Sequence, residues 1–189
     1  MHGRSALIMK RIILGLYILI SVSAYSLTAA EQFIYTRISN REGLASTINS
    51  IYKEKDGDVW LGTPKGLYTF NGHRLKHNED SLFRDSYIYK IQEDKSGGIW
   101  VLTDNWVMHR KAGEDNFMQL TTDSPYDQAP FFSMCQDNEG IWFGSQGIIY
   151  RYTYKDDKLS NFCDLKGNGI LFCSYLNKIN DSTLLSFVY

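Results

Sequence analysis

The stretch IYKEKDGDVWLGT at residues 51–63 places two short apolar runs, Ile51-Tyr52 and Val59-Trp60-Leu61, on either side of a polar segment that contains Gly57. β-Branched and aromatic residues flanking an Asp/Gly turn describe a β-hairpin. The pattern returns as IQEDKSGGIWVLT at 91–103 and as MCQDNEGIWFGS at 134–145, and a degraded copy, LNKINDSTLLSF, occupies 176–187. Trp60, Trp100 and Trp142 are spaced by 40 and 42 residues, and Leu184 stands another 42 further on, in the place this spacing assigns to Trp. Periods of about 40–45 residues belong to propeller blades or to some helical arrays.

Local chemistry separates these two architectures. After each Trp hairpin a second one follows: Gly66 and Gly147 break the chain before Leu67–Phe70 and Ile148–Tyr152, and polar turns come next at Asn71-Gly72 and Lys155-Asp156-Asp157. Four short strands fit each period. No segment past residue 30 carries a 3.6-residue apolar stripe over three turns, which argues against helical repeats. The expected fold is therefore all-β: three four-stranded propeller blades and the start of a fourth, across residues 31–189. Trp60, Trp100 and Trp142, with Gly62, Gly144 and Gly66, are its structural repeat positions. The indoles are expected to fill the interfaces between blades packed face to face.

Residues 1–30 read differently. Lys10-Arg11 precede the apolar run Ile12–Val22, and small residues follow at Ala24 and Ala29-Ala30, the layout of a secretory signal peptide cleaved after Ala24 or after Ala30. The apolar run is shorter than the roughly 20 residues of a membrane-spanning helix. Propellers close with about 4–8 blades, whereas this sequence supplies three and ends inside the apolar run 184–189. It is expected to be a piece of a longer protein, or else to close by assembling with other copies.

Composition excludes several functional classes. The chain has 20 Lys+Arg and 21 Asp+Glu, and the only three basic residues before position 31 have no acidic counterpart there, so the remainder carries a formal charge of −4. With no basic run longer than a pair, nothing marks a nucleic-acid partner. Cys135, Cys163 and Cys173 lack the CxxC spacing of a metal knuckle; one bridge at most is available, with Cys163–Cys173 the nearest pair in sequence, and free thiols are the expectation. His73 and His77 are four apart but lie in a turn-rich, extended context, so they do not share a helix face and no metal is expected there. Glu54, Asp56 and Asp58 resemble part of a calcium loop whose glycine and terminal Glu are misplaced; they read as a hairpin turn. No nucleophile elbow, zinc-helix motif or phosphate loop is present. No catalytic residue and no cofactor is assigned.

The segments 33–44, 48–51 and 56–72 together resemble the opening blade of the two-component regulator propeller family, and the resemblance extends from about Phe33 to the end of the chain. It rests on Gly43-Leu44, on the D-G-D-V-W-L-G-T core at 56–63 and on Gly66-Leu67-Tyr68-Thr69-Phe70. Later copies depart from the pattern: Leu102 stands in the place of Gly62, Trp106 in that of Gly66, and the fourth copy lacks Trp. The resemblance implies the periplasmic sensor region of a hybrid two-component system, with seven-bladed propellers outside the membrane and the histidine kinase in parts absent from these 189 residues. It also implies an oligosaccharide ligand, contact with the rest of the sensor chain and a homodimeric parent. A secreted propeller enzyme, a polysaccharide lyase or glycosidase, shares the export and the fold and is the alternative. Trp106, a large ring at a strand connection, is the one ligand-binding candidate; burial between neighbouring blades is the competing expectation for it.

Overall fold

A computed structural model describes residues 13–14, 37–39, 41, 43–44, 46–55, 57–122, 130–180 and 182–188. The chain divides into two compact units, Met1–Arg37 and Ile38–Tyr189, and the strands described here all belong to the second. The signal-peptide reading and the boundary at residue 30 fall outside the described residues, apart from Ile13 and Leu14.

Three consecutive antiparallel meanders form the body of this unit. The first blade consists of β1 (Ser50–Lys53), β2 (Val59–Thr63), β3 (Gly66–Phe70) and β4 (Leu75–His77). The second is β5 (Ile88–Glu93), β6 (Ile99–Thr103), β7 (Val107–Arg110) and β8 (Met118–Leu120), and the third β9 (Ser133–Gln136), β10 (Gly140–Gly144), β11 (Ile148–Thr153) and β12 (Lys158–Asp164). The hairpin β13 (Cys173–Asn180) and β14 (Thr183–Val188) opens a fourth. Among the described residues each strand pairs with its sequence neighbours only, so no strand ladder runs from one blade into the next. What joins them is side-chain packing.

That packing forms three seams. Trp60 and Leu67 of the first blade meet Ile88, Ile91, Ile99, Val101 and Met108 of the second, with Phe83 from the connecting segment. Trp100, Leu102 and Val107 of the second meet Phe131, Met134, Ile141, Phe143, Tyr150 and Tyr152 of the third and its leading segment. The last seam is smaller, with Ile149, Cys173 and Leu176 at its centre and Trp142 and Leu184 partly buried against them. Alternation of side chains across a strand explains how one sheet serves two seams: Ile99 and Val101 point to the first blade while Trp100 and Leu102 point to the third.

The glycines in Trp-plus-two position act through space. A Cβ on Gly62 would stand 2.7 Å from Ile88 Cγ2, and one on Gly144 would stand 2.5 Å from the Cys173 carbonyl oxygen. In the second blade Leu102 occupies this place and is fully buried in a thicker apolar seam. Gly66 is different: its φ of +104° is a backbone state that favours glycine.

The strand register corrects the reading of the fourth copy. Tyr52, Gln92 and Cys135 oppose Trp60, Trp100 and Trp142, and the matching residue of β13, Asn177, opposes Leu185. Leu185 therefore holds the Trp position, 43% exposed on the outward face, while Leu184 turns back onto the third blade. The physical cause is the turn of the third copy, one residue shorter than the others, which shifts a fixed-spacing count by one. Gly147 is likewise not the counterpart of Gly66. Ser145 N–H donates to Ile148 O as Thr103 N–H donates to Trp106 O, which puts Ile148 at the place of Gly66 and Trp106.

Candidate functional site

Every Trp of the repeat is held by an acid from the hairpin turn that precedes it. The indole N–H of Trp60 donates to Glu54 Oε2 at 3.0 Å, that of Trp100 to Asp94 Oδ2 at 2.7 Å, and that of Trp142 to Asp137 Oδ2 at 2.9 Å. A basic side chain then lies over each indole. The Arg110 guanidinium of the second blade sits 4.9 Å from the Trp60 ring and pairs with Glu54. His109 stacks flat on Trp100, with centroids 3.7 Å apart and planes 14° from parallel. Arg151 lies 4.3 Å over Trp142 and bonds Asp137 at 2.7 Å, and Lys178 of the fourth blade reaches the same carboxylate at 3.1 Å. Three acid–indole–base sandwiches thus line the seams; Arg110 on Glu54 and Lys178 on Asp137 cross from one blade to the next, whereas His109 belongs to the same blade as Trp100 and Asp94.

Their electrostatics differ. Burial alone would raise the Asp94 and Asp137 carboxyls, but the donors gathered on each outweigh it and hold both below the usual carboxylate range: Ser96, Trp100 and Gly98 on Asp94, and Arg151, Trp142, Glu139 and Lys178 on Asp137. His109 goes the other way. Burial pushes it down to about 4, only partly opposed by the Asp94 charge. Its Nε2 is 3.9 Å from Asp94 Oδ2, beyond hydrogen-bond reach, and neither ring nitrogen has a partner.

Two crevices flank these sandwiches on the side of the β1–β2 and β3–β4 type turns. One of about 360 Å³ lies between the first and second blades and contains Tyr52, Glu54, Glu93 and Arg110; one of about 520 Å³ lies between the second and third and contains His109, Lys111, Tyr152, Tyr154 and Asp157. In the first, Tyr52 donates to Glu93 Oε2 at 3.1 Å, and burial with the nearby carboxylates pushes the phenol up to about 12. In the second, Tyr152 donates to Asp157 at 2.6 Å, and Asp157 also pairs with Lys111.

The residues singled out from sequence do not converge on one site. Trp106 ends the β6–β7 turn, with its N–H donating to Thr103 Oγ1 at 2.8 Å, and its half-buried ring packs against the cluster around Trp60 and Phe83. His77 is engaged on β4, bonded to Lys65 O at 3.1 Å and stacked on Tyr68 at 4.6 Å, whereas His73 lies in the preceding turn. Glu54 is committed to Trp60 and Arg110, the backbone of its turn closes from Glu54 N–H to Asp58 O, and Asp56 lies outside the described residues. Cys135, Cys163 and Cys173 are free thiols gathered at the third seam. The sandwich acids and bases escaped sequence reading. The acids had a signal, since Glu54 and Asp94 lie six residues before their Trp and Asp137 five. The bases had none.

Sheets stacked by side chains, three of them carrying an indole at a repeated position, define a β-propeller. Residues 43–65 and 82–105, the lead and Trp hairpin of the first and second blades, match the two component regulator propeller family. The chain therefore carries two component regulator propeller repeats. Among solved structures it is similar to the extracellular domain of a hybrid two component system from B. thetaiotaomicron, with 17% identity, a TM-score of 0.66, and coverage of 84% of this chain and 23% of that one. A one component system extracellular domain from the same organism gives 18%, 0.64, 83% and 21%, and virginiamycin B lyase from Staphylococcus aureus gives 16%, 0.55, 75% and 48%. At these identities the likeness is one of fold. The chain spans 21% and 23% of the two extracellular domains. No curated protein sequence matches it.

Proposed function

We propose that this chain is the opening part of an extracytoplasmic sensor propeller of a two-component system, delivered by the export signal at residues 1–30, and that its parent responds to an oligosaccharide. The observation that supports this best is the pair of family matches on the first two blades, which lie on the segments that build the Trp seams. The chain's own chemistry fits a binding and relay role: its carboxylates at the seams are occupied by indole and cationic donors, so they serve as structural anchors instead of acid–base pairs. Kinase activity, contacts with the remainder of the sensor and homodimerisation belong to the parent protein in this reading.

The test has two arms. Deleting the reading frame that contains this chain should abolish the transcriptional response of its host to one polysaccharide, and the purified propeller should bind an oligosaccharide of that polysaccharide by calorimetry without cleaving it. Binding with release of unsaturated or shortened products would instead identify a lyase or glycosidase. A host that keeps all its polysaccharide responses after deletion would overturn the sensor reading.

A further inference from the structure

We propose that His109 is a proton-operated latch in the seam between the second and third blades: neutral, it lies flat on Trp100; protonated, it donates to Asp94 Oδ2 and competes there with the Trp100 indole. The argument starts from the three sandwiches. In two of them the base is an arginine, joined in the third seam by Lys178, and stays charged at any ordinary pH. Only the middle sandwich uses a histidine, a side chain that can be neutral or charged according to its surroundings.

The geometry leaves that side chain poised. Its exposure is 5%, its two nitrogens are without partners, and Asp94 Oδ2 is 3.9 Å from Nε2, a gap that a shift of about 1 Å closes to hydrogen-bond length. Gly98 keeps this space open, because a Cβ there would stand 2.7 Å from Nε2 and 2.9 Å from Asp94 Oδ2. The charged and titratable groups around the ring are Asp94 from the second blade's first turn, Lys111 next along from β7, and Asp157, Tyr152 and Tyr154 from the third blade. The 520 Å³ crevice lined by Lys111, Tyr154 and Asp157 brings solvent protons to its edge. Burial holds the neutral form down to about pH 4, so the latch acts under acid exposure. When the ring takes up one proton from solvent, both nitrogens become donors. Movement toward Asp94 then loosens the stack on Trp100, the indole that Phe143 and Tyr152 of the third blade close over.

The experiment is a pH titration of the full chain by nitrogen–proton correlation NMR, following the His109 imidazole and the Trp100 indole N–H. The expected result is a His109 transition at least one pH unit below the ordinary histidine value of about 6.5, with the Trp100 indole shifting at the same midpoint. His109→Gln should remove the indole transition, and Asp94→Asn should move the His109 midpoint further down, because the carboxylate is what favours the cation. His109 titrating at the ordinary histidine value of about 6.5, or an unchanged Trp100 indole across the His109 transition, would overturn the proposal in the unmodified protein, whatever the variants do.

Discussion

The seam between the second and third blades and the seam between the third and fourth use the same parts to different effect. Trp100 is wholly buried, with the edge of Tyr152 packed on it 4.8 Å away; Tyr152 comes from β11, the third strand of the following blade. Trp142 is only half-buried, and the ring on it, 4.6 Å away, is Phe162 from its own blade. The first seam is similar, since Trp60 is covered by Arg110, at the end of the third strand of the second blade, and by Phe117, just ahead of its fourth strand. A seam is sealed by the third strand of the next blade and its continuation. Where the described residues offer only a two-stranded hairpin, the Trp is left half-buried and Lys178 reaches across to the Asp137 carboxylate.

Truncating the two indoles should break the comparison most sharply. Trp100→Ala is expected to cost about 3–5 kcal/mol and Trp142→Ala about 1–2 kcal/mol, because the cost follows the apolar surface and cavity left behind. Urea denaturation of both variants checks this, and equal losses would mean that the two seams are equally closed.

Acid should come next, and should act first on the buried seam. The His109 pKa is pushed down to about 4 from 6.5, so the stability it contributes is fully present above about pH 6.5 and is lost as pH falls from there to 4. The full loss is about 3 kcal/mol. Asp94 and Asp137 are both held low, and they add a further loss only below the ordinary carboxylate range. Melting temperatures between pH 7 and pH 4 should therefore fall less in His109→Gln than in the unmodified chain; parallel curves would place the acid response elsewhere.

A charge swap sharpens the contrast from the other side. Asp137→Asn strands Arg151, whose side chain is 10% exposed, and should cost about 2–3 kcal/mol. Asp94→Asn strands no charge, because it faces a neutral histidine, but its one amide oxygen can serve either Trp100 or the Ser96 and Gly98 donors and not both, so about 1–2 kcal/mol is expected. Chemical denaturation at pH 7 in low and high salt separates the two, with the Asp137 variant less affected by added salt than its parent. A loss in the same range as that of Asp94→Asn, about 1–2 kcal/mol, should come from Gly144→Ala, as the new methyl pushes the Cys173 carbonyl away. Amide exchange should then quicken in β13 and stay unchanged in β6. Faster exchange in β6 would show that the seams are coupled.

Much of this architecture was legible in the chain of residues. The hairpins around Gly57, Gly97 and Gly140, the blade period and the inward indoles follow from turn chemistry and side-chain alternation, which act over a few neighbouring positions. The offset at Leu184 and Leu185 marks where that legibility stops: spacing counts residues, whereas strand pairing decides which face a residue takes, and one residue changes the face. The candidate at Trp106 could be picked out as a departure from the repeat, but its packing against Phe83 and Trp60 depends on two blades meeting.

The sequence by itself determined the all-β repeat and the positions of Trp60, Trp100 and Trp142 within it; the acid five or six residues ahead of each stands in the sequence, but its bond to the indole emerged only from the fold. Only the tertiary structure decided which base completes each sandwich, because that base comes from another strand or another blade: Arg110 from the next blade for Trp60, His109 from the adjacent strand for Trp100, Arg151 and Lys178 for Trp142. Local turns obey short-range sterics and can be read along the chain. Charge pairing across a seam depends on distance in space, and folding alone sets that distance.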